Sequence, residues 1–201
     1  KRFGRNRVFS DLSFEVGGGE VVAVTGSNGS GKSTLLRIVA GILRPNRGRV
    51  ELEVAGRGVS DRDRPLHVGM VAPYLELYRS FTARENLEFQ ARVRGIDSSM
   101  EKSITDLLER VGLKGRGDEL LEGYSSGMTQ RLRIASALLT RPPCLLLDEP
   151  FSNLDRGGRD LVRSVVEEQR ERGAIQLVAT NREEVAEECD RQISVEGPRS
   201  R

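Results

Sequence analysis

Between an apolar run, Val21 to Val24, and the helix-spaced Leu35, Leu36, Ile38 and Val39 stands Gly26-Ser27-Asn28-Gly29-Ser30-Gly31-Lys32-Ser33-Thr34. The segment satisfies G-x-x-x-x-G-K-[ST] in the strand-to-helix setting that the pattern needs, and its chemistry is phosphate binding. Glycines let such a loop wrap so that backbone N–H groups face phosphate oxygens, and the following helix adds the positive end of its dipole. Lys32 is placed to reach β- and γ-phosphates, and the Ser33 hydroxyl to ligate Mg²⁺. A second set of groups ends another apolar run, Leu145-Leu146-Leu147-Asp148-Glu149. By itself a strand ending in Asp-Glu is an ordinary solvated terminus. In a chain that also carries a phosphate loop, Asp148 is the Mg²⁺-directed carboxylate and Glu149 the acid that polarises an attacking water.

Those groups require strands that deliver them and helices that hold the strands. The spacing predicts a buried strand over Val21 to Val24, a helix through Val39 stopped at Gly41, and a half-exposed strand where Val50, Leu52 and Val54 alternate with charged residues. Thr82-Ala-Arg-Glu85 is a capping-box pattern opening a helix that stops near Gly95. Met100, Ile104, Leu107, Leu108 and Val111 form the apolar stripe of a second helix ending at Gly112, and Met128, Leu132, Ala135 and Leu139 that of a third. A buried strand (Cys144 to Leu147), a helix from Arg156 to Arg172, a strand (Ile175 to Ala179) and a short helix through Glu187 follow. Strands separated by helices imply an α/β fold with a mainly parallel sheet.

Gly123-Tyr124-Ser125-Ser126-Gly127-Met128-Thr129-Gln130-Arg131 places Ser125 to Gly127 as an N-terminal cap offering hydroxyl and N–H donors to an anion. This segment resembles the signature motif of the ATP-binding subunits of ABC transporters. Ser152-Asn153-Leu154-Asp155 resembles that family's D-loop, and Phe3-Gly4 the segment whose aromatic ring stacks on adenine. The resemblance covers essentially the whole chain. It implies a P-loop NTPase core with an N-terminal antiparallel β subdomain and a helical signature subdomain near residues 80–140, all within one ATP-binding domain over 1–201. It further implies that ATP is held by Phe3, by Gly26 to Thr34 and by Asp155, with Mg²⁺ on Ser33 and Asp148 and with Lys32, Glu149 and Asn181 as the catalytic set. Two copies would pair head to tail, Ser125 and Gly127 of one closing over the ATP of the other. Cycles of closure and hydrolysis would then drive a transmembrane transporter subunit from the inner face of the cell membrane. The short chain is also similar to the small ATP-binding type found in haem export.

Two residues depart from the family's pattern. Pro73 aligns where a Gln is usual, and Asn181 where the switch His is usual; Asn donates a hydrogen bond but carries no positive charge. Both predict slow hydrolysis, and Ser126 in place of the first signature Gly is a milder change. Asn181-Arg182-Glu183-Glu184 is a near miss of a guanine-reading motif, but a GTPase leaves the signature unexplained. A non-transport ABC ATPase is disfavoured by the short span from Pro73 to Ser125 and by the single ATP-binding unit. It stays an alternative all the same, as does a nucleotide-regulated subunit with weak hydrolysis. Tyr74, Leu75, Leu77 and Tyr78 form an apolar cluster, either core or the place where the family docks its membrane subunit.

Composition closes off other classes. Lys plus Arg at 32 against Asp plus Glu at 30 leaves a net charge of +2, so no strongly basic nucleic-acid surface is expected. No run approaches the length of a membrane-spanning helix. Cys144 and Cys189 lack CxxC spacing and His67 stands alone, so neither a disulfide scaffold nor a zinc site is expected. A start at Lys1 without a signal-peptide pattern predicts a cytoplasmic chain. His67 reads as a loop or strand-edge residue, and the glutamates from Glu183 to Glu188 as a solvated helix face.

Overall fold

The computed structural model describes residues 1–96 and 101–196. The chain opens with a two-residue hairpin, Arg2–Phe3 (β1) against Asn6–Arg7 (β2). Val21–Thr25 (β3) follows, then Lys32–Val39 (α1) and a second small antiparallel pair, Glu53–Val54 (β4) with Arg57–Gly58 (β5). Val68–Val71 (β6) leads into three helices, Ala83–Val93 (α2), Glu101–Arg110 (α3) and Ser126–Leu138 (α4). Cys144–Asp148 (β7), Arg156–Glu171 (α5), Ile175–Ala179 (β8), Glu183–Glu187 (α6) and Arg191–Ser194 (β9) complete the order.

Five strands form one wholly parallel sheet in the order β6-β7-β8-β3-β9. Alternate residues on each strand face opposite layers. Val21, Val71, Leu145, Leu147 and Val178 join the layer built by α2 to α5, with Leu87, Ile104, Leu132 and Val165 among its buried members. Val22, Val24, Met70, Leu146 and Leu177 face the other layer, where Leu35 and Leu36 of α1 meet Phe9, Leu12, Phe14 and Val16 of the N-terminal segment. Burial on both faces explains why these strands read as continuous apolar runs.

The anticipated capping box is present: Glu85 N–H donates to Thr82 Oγ1 (3.1 Å) while Thr82 N–H donates to Glu85 Oε2 (2.7 Å). Ile104, Leu107, Leu108 and Val111 are buried as their stripe predicts; Met100, assigned to the same stripe, lies outside the described residues.

Three differences have physical causes. The strand expected from Val50 to Val54 is only the pair at Glu53–Val54, extended by Val59 N–H donating to Leu52 O, and among the described residues β4 and β5 form a two-stranded sheet by themselves, so the backbone before Leu52 lacks a ladder partner there. Strand β6 escapes periodicity because Gly69 interrupts its apolar run. A Cβ on Gly69 would stand 2.3 Å from the Ala137 carbonyl and 2.6 Å from Pro142 Cγ, so the glycine lets the end of α4 lie against the sheet. Strand β9 contributes only Ile193 to the core and resembles a polar loop in sequence. His67 ends a 3₁₀ turn just before β6.

Candidate active site

In a parallel sheet, ligands meet the carboxyl ends of the strands, where the connecting loops converge. Here β3 runs into the 26–31 loop, β7 ends on Asp148, and β8, which lies between them, runs into Thr180 and Asn181. The sheet order alone therefore brings the loop, the carboxylates and Asn181 together.

The loop is shaped around Lys32. Only 7% exposed, its ammonium donates to Gly26 O (2.7 Å) and Ser27 O (3.1 Å) and so draws the loop into a ring. Gly31, at φ 112°, is the N-cap of α1. A Cβ there would come within 2.4 Å of Val8 Cγ1 and 3.1 Å of Phe9 Cδ1, so both the left-handed backbone and the close approach require glycine. No side chain caps this helix and its first turn holds no acid, which leaves the N–H groups and the positive dipole end to an anion. Ser27, Asn28 and Gly29 are exposed along the rim, Ser30 is buried beneath it, and Thr34 continues the first turn.

Asp148 is 2% exposed, and its Oδ2 has no hydrogen-bond partner. Burial raises its carboxyl pKa above the ordinary value, opposed by a hydrogen bond from Ser33 and by the charges of Lys32 and Arg37. Glu149, half-buried and at φ 48°, is raised in the same direction by burial, opposed by Lys32 and by the backbone N–H of Asn181. That N–H donates to Glu149 Oε1 at 3.0 Å, while Asn181 Nδ2 donates to Asn28 Oδ1 at 3.2 Å. Asn181 thus bridges the carboxylate and the loop.

This donor set fits a nucleoside triphosphate with Mg²⁺. An unpartnered buried carboxylate oxygen beside a serine hydroxyl suits a cation that takes one or two protein oxygens and completes its shell with phosphate and water. Among the described residues no group of three or more His, Cys, Asp or Glu is placed to hold a metal by itself.

The remaining predicted site residues sit elsewhere. Phe3 is 51% exposed on β1, with the Lys1 ammonium 4.8 Å from its ring centroid. Ser125 caps α4, accepting from Met128 N–H at 3.2 Å, and Gly127 lies beside the Asn153 carbonyl. Neither has a described hydrogen bond to the loop of its own chain. Asp155 caps α5 by accepting from Gly158 N–H (2.8 Å) and pairs with Arg131 (3.4 Å). Pro73 is exposed two residues beyond β6.

The apolar cluster divides. Tyr74, Leu75 and Leu77 pack against the core, whereas Tyr78 is exposed and joins Phe81 and Phe89 in an aromatic group with ring centroids 5.1–6.3 Å apart. Sequence reasoning overlooked Val8 and Phe9, which support Gly31 from a distant segment. It also overlooked Arg37, whose proximity to Asp148 depends on α1 packing against the sheet.

Fold and site together define a P-loop nucleotide-hydrolysing enzyme of the α/β class. The sequence pattern described as ABC transporter matches residues 9–152. The lipoprotein-releasing system ATP-binding protein LolD 1 of Caulobacter vibrioides is 39% identical over 199 residues, covering 94% of this chain and 84% of that protein. The sulfate/thiosulfate import ATP-binding protein CysA of Pectobacterium atrosepticum is 38% identical over 169 residues; these cover 81% of this chain and 51% of that relative, so the chain spans about half its length. A dimeric bacterial ABC transporter cassette superposes with a TM-score of 0.81 at 26% identity, covering 94% of this chain and 86% of that one. The chain belongs to the ABC transporter family, as one of its ATP-binding, ATP-hydrolysing subunits.

Proposed function

We propose that the described residues act as one ATP-binding unit that hydrolyses ATP at the carboxyl edge of the sheet. The observation that carries this reading is the convergence there of a ring-forming buried lysine, an uncapped helix N-terminus and an unpartnered buried carboxylate. Lys32 exchanges its two carbonyl partners for phosphate oxygens, the loop N–H groups from Gly26 to Gly31 and the first turn through Thr34 hold the remaining phosphate charge, and Phe3 offers a ring face to the base. Ser33 and Asp148 hold Mg²⁺, which when bound supplies charge neutralisation for the phosphates. Glu149 accepts the proton of the attacking water, oriented by the Asn181 N–H. Asn181 offers the γ-phosphate a neutral donor, so hydrolysis by the isolated chain is slow.

Ser125, Gly127 and Asp155 have no described hydrogen bond to the loop of their own chain, which supports a head-to-tail pair in which the α4 cap of one copy closes over the ATP of the other. The dimeric form of the related cassette supports pairing of two copies. Among the described residues no helix is long and apolar enough to cross a membrane. Movement therefore reaches the bilayer through a transmembrane partner on its cytoplasmic side, and the exposed Tyr78 and Phe89, with half-buried Phe81 between them and Val93 beside them, are the docking face for that partner. Calorimetry of Mg²⁺·ATP binding tests the reading: the parent binds, and Lys32→Ala abolishes binding. Unchanged affinity and turnover in Lys32→Ala would overturn it.

A further inference from the structure

Pro73 supplies a turn where the family's pattern has a side-chain ligand. Leu75 N–H donates to Ala72 O at 3.1 Å, closing a tight turn over Ala72–Leu75 with proline at its second position, where a fixed φ is favoured. Two arginines grip this turn from different helices. The Arg37 guanidinium of α1 stacks on the Tyr74 ring, 3.7 Å from its centroid. Arg133 of α4 donates through Nε to Leu75 O at 3.1 Å and through Nη1 to Gln130 Oε1 at 3.3 Å. Buried Gln130 in turn donates to the carbonyl of Pro150, the residue after Glu149, at 3.2 Å. A continuous set of contacts thus runs from the helix that begins at the phosphate loop, through the turn, to the helix whose N-terminus is the Ser125 cap, and back to the Glu149 strand end.

We propose that Arg37, Tyr74 and Arg133 clamp the Ala72–Leu75 turn as positioning residues, fixing α4 and its Ser125 cap relative to the phosphate loop and Glu149. None of the three touches the reacting atoms, and each acts through the placement of α4. The clamp rests on the proposed ATP hydrolysis with α4 as the closing element. Spatial continuity alone does not establish coupling; a shared energetic effect does.

The test uses the full chain with Arg133→Met and Tyr74→Leu, singly and together, and measures ATP affinity and turnover separately. Each single variant keeps ATP affinity within about twofold while turnover falls about tenfold. The double variant falls no further than the lower single, because both cut one link. Arg133→Lys, which keeps one donor, recovers part of the loss, and with Tyr74→Leu it carries the test should Arg133→Met fail to fold. Turnover equal to the parent, affinity falling in step with turnover, or a double loss equal to the product of the two singles overturns the clamp. A parent that hydrolyses no ATP contradicts the proposed function itself, so the two failures are distinguishable.

Discussion

At the scale of single residues, burial and an unpartnered Oδ2 make the ionised form of Asp148 costly where no cation meets it. Its folded pKa lies above its unfolded one, so the folded chain binds this proton more tightly. The associated stability is present at low pH and is lost as pH rises from the unfolded to the folded value. Removing the charge should therefore stabilise the nucleotide-free chain at neutral pH: Asp148→Asn is expected to gain about 1 kcal/mol, with the difference narrowing in acid. Mg²⁺-dependent ATP binding should weaken in the same variant. Thermal melts across pH, with EDTA or with Mg²⁺·ATP, check both effects, and a variant that melts lower at every pH contradicts the assignment. Asn181 poses the complementary question, since in the proposed reading it contacts the γ-phosphate but is uncharged. Asn181→His is expected to raise turnover at least about tenfold, out of the roughly 10²–10³ that one preorganised contact is worth. ATP affinity changes little, because the gain appears as charge develops in the transition state. Steady-state kinetics decide it; slower turnover in Asn181→His would make Asn181 an adapted catalytic residue.

At the scale of elements, the approach of α4 to the sheet depends on Gly69. Gly69→Ala places a Cβ against the Ala137 carbonyl and Pro142, neither of which is a flexible side-chain end. Overpacking of this kind costs about 1–3 kcal/mol, to be read as a lower denaturant midpoint; a midpoint equal to the parent would show that α4 yields freely. The same residue shows where sequence reading stops. The phosphate loop, the capping box at Thr82 and the stripe from Ile104 to Val111 are legible because each is local: a short pattern carries its own geometry. Strand β6 is invisible because its glycine answers to a helix far along the chain. Likewise Val8 and Phe9 under Gly31, and Arg37 beside Asp148, are juxtapositions made by packing. The apolar residues near Pro73 show the limit in another form, since their composition does not reveal that Tyr74, Leu75 and Leu77 turn inward while Tyr78 stays out.

At the scale of the whole molecule, one strand order accounts for the site. With β8 between β3 and β7, the phosphate loop, the Asp148-Glu149 pair and Asn181 meet at one edge. The α4 cap, by contrast, has no described hydrogen bond to that loop, an arrangement suited to a second copy. Under the proposed head-to-tail pairing, ATP binding favours a closed pair because closure adds donors to an anion already held, and hydrolysis removes that preference. Glu149→Gln separates these steps, since it retains the Asn181 hydrogen bond but loses the proton acceptor. The most direct measurement is sedimentation of Glu149→Gln with Mg²⁺·ATP alongside its turnover. The account predicts ATP bound, a dimer that persists, and hydrolysis at least about a hundredfold below the parent. Hydrolysis at the parent rate would remove Glu149 from its role, and a variant that binds ATP yet stays monomeric would contradict closure by a second copy.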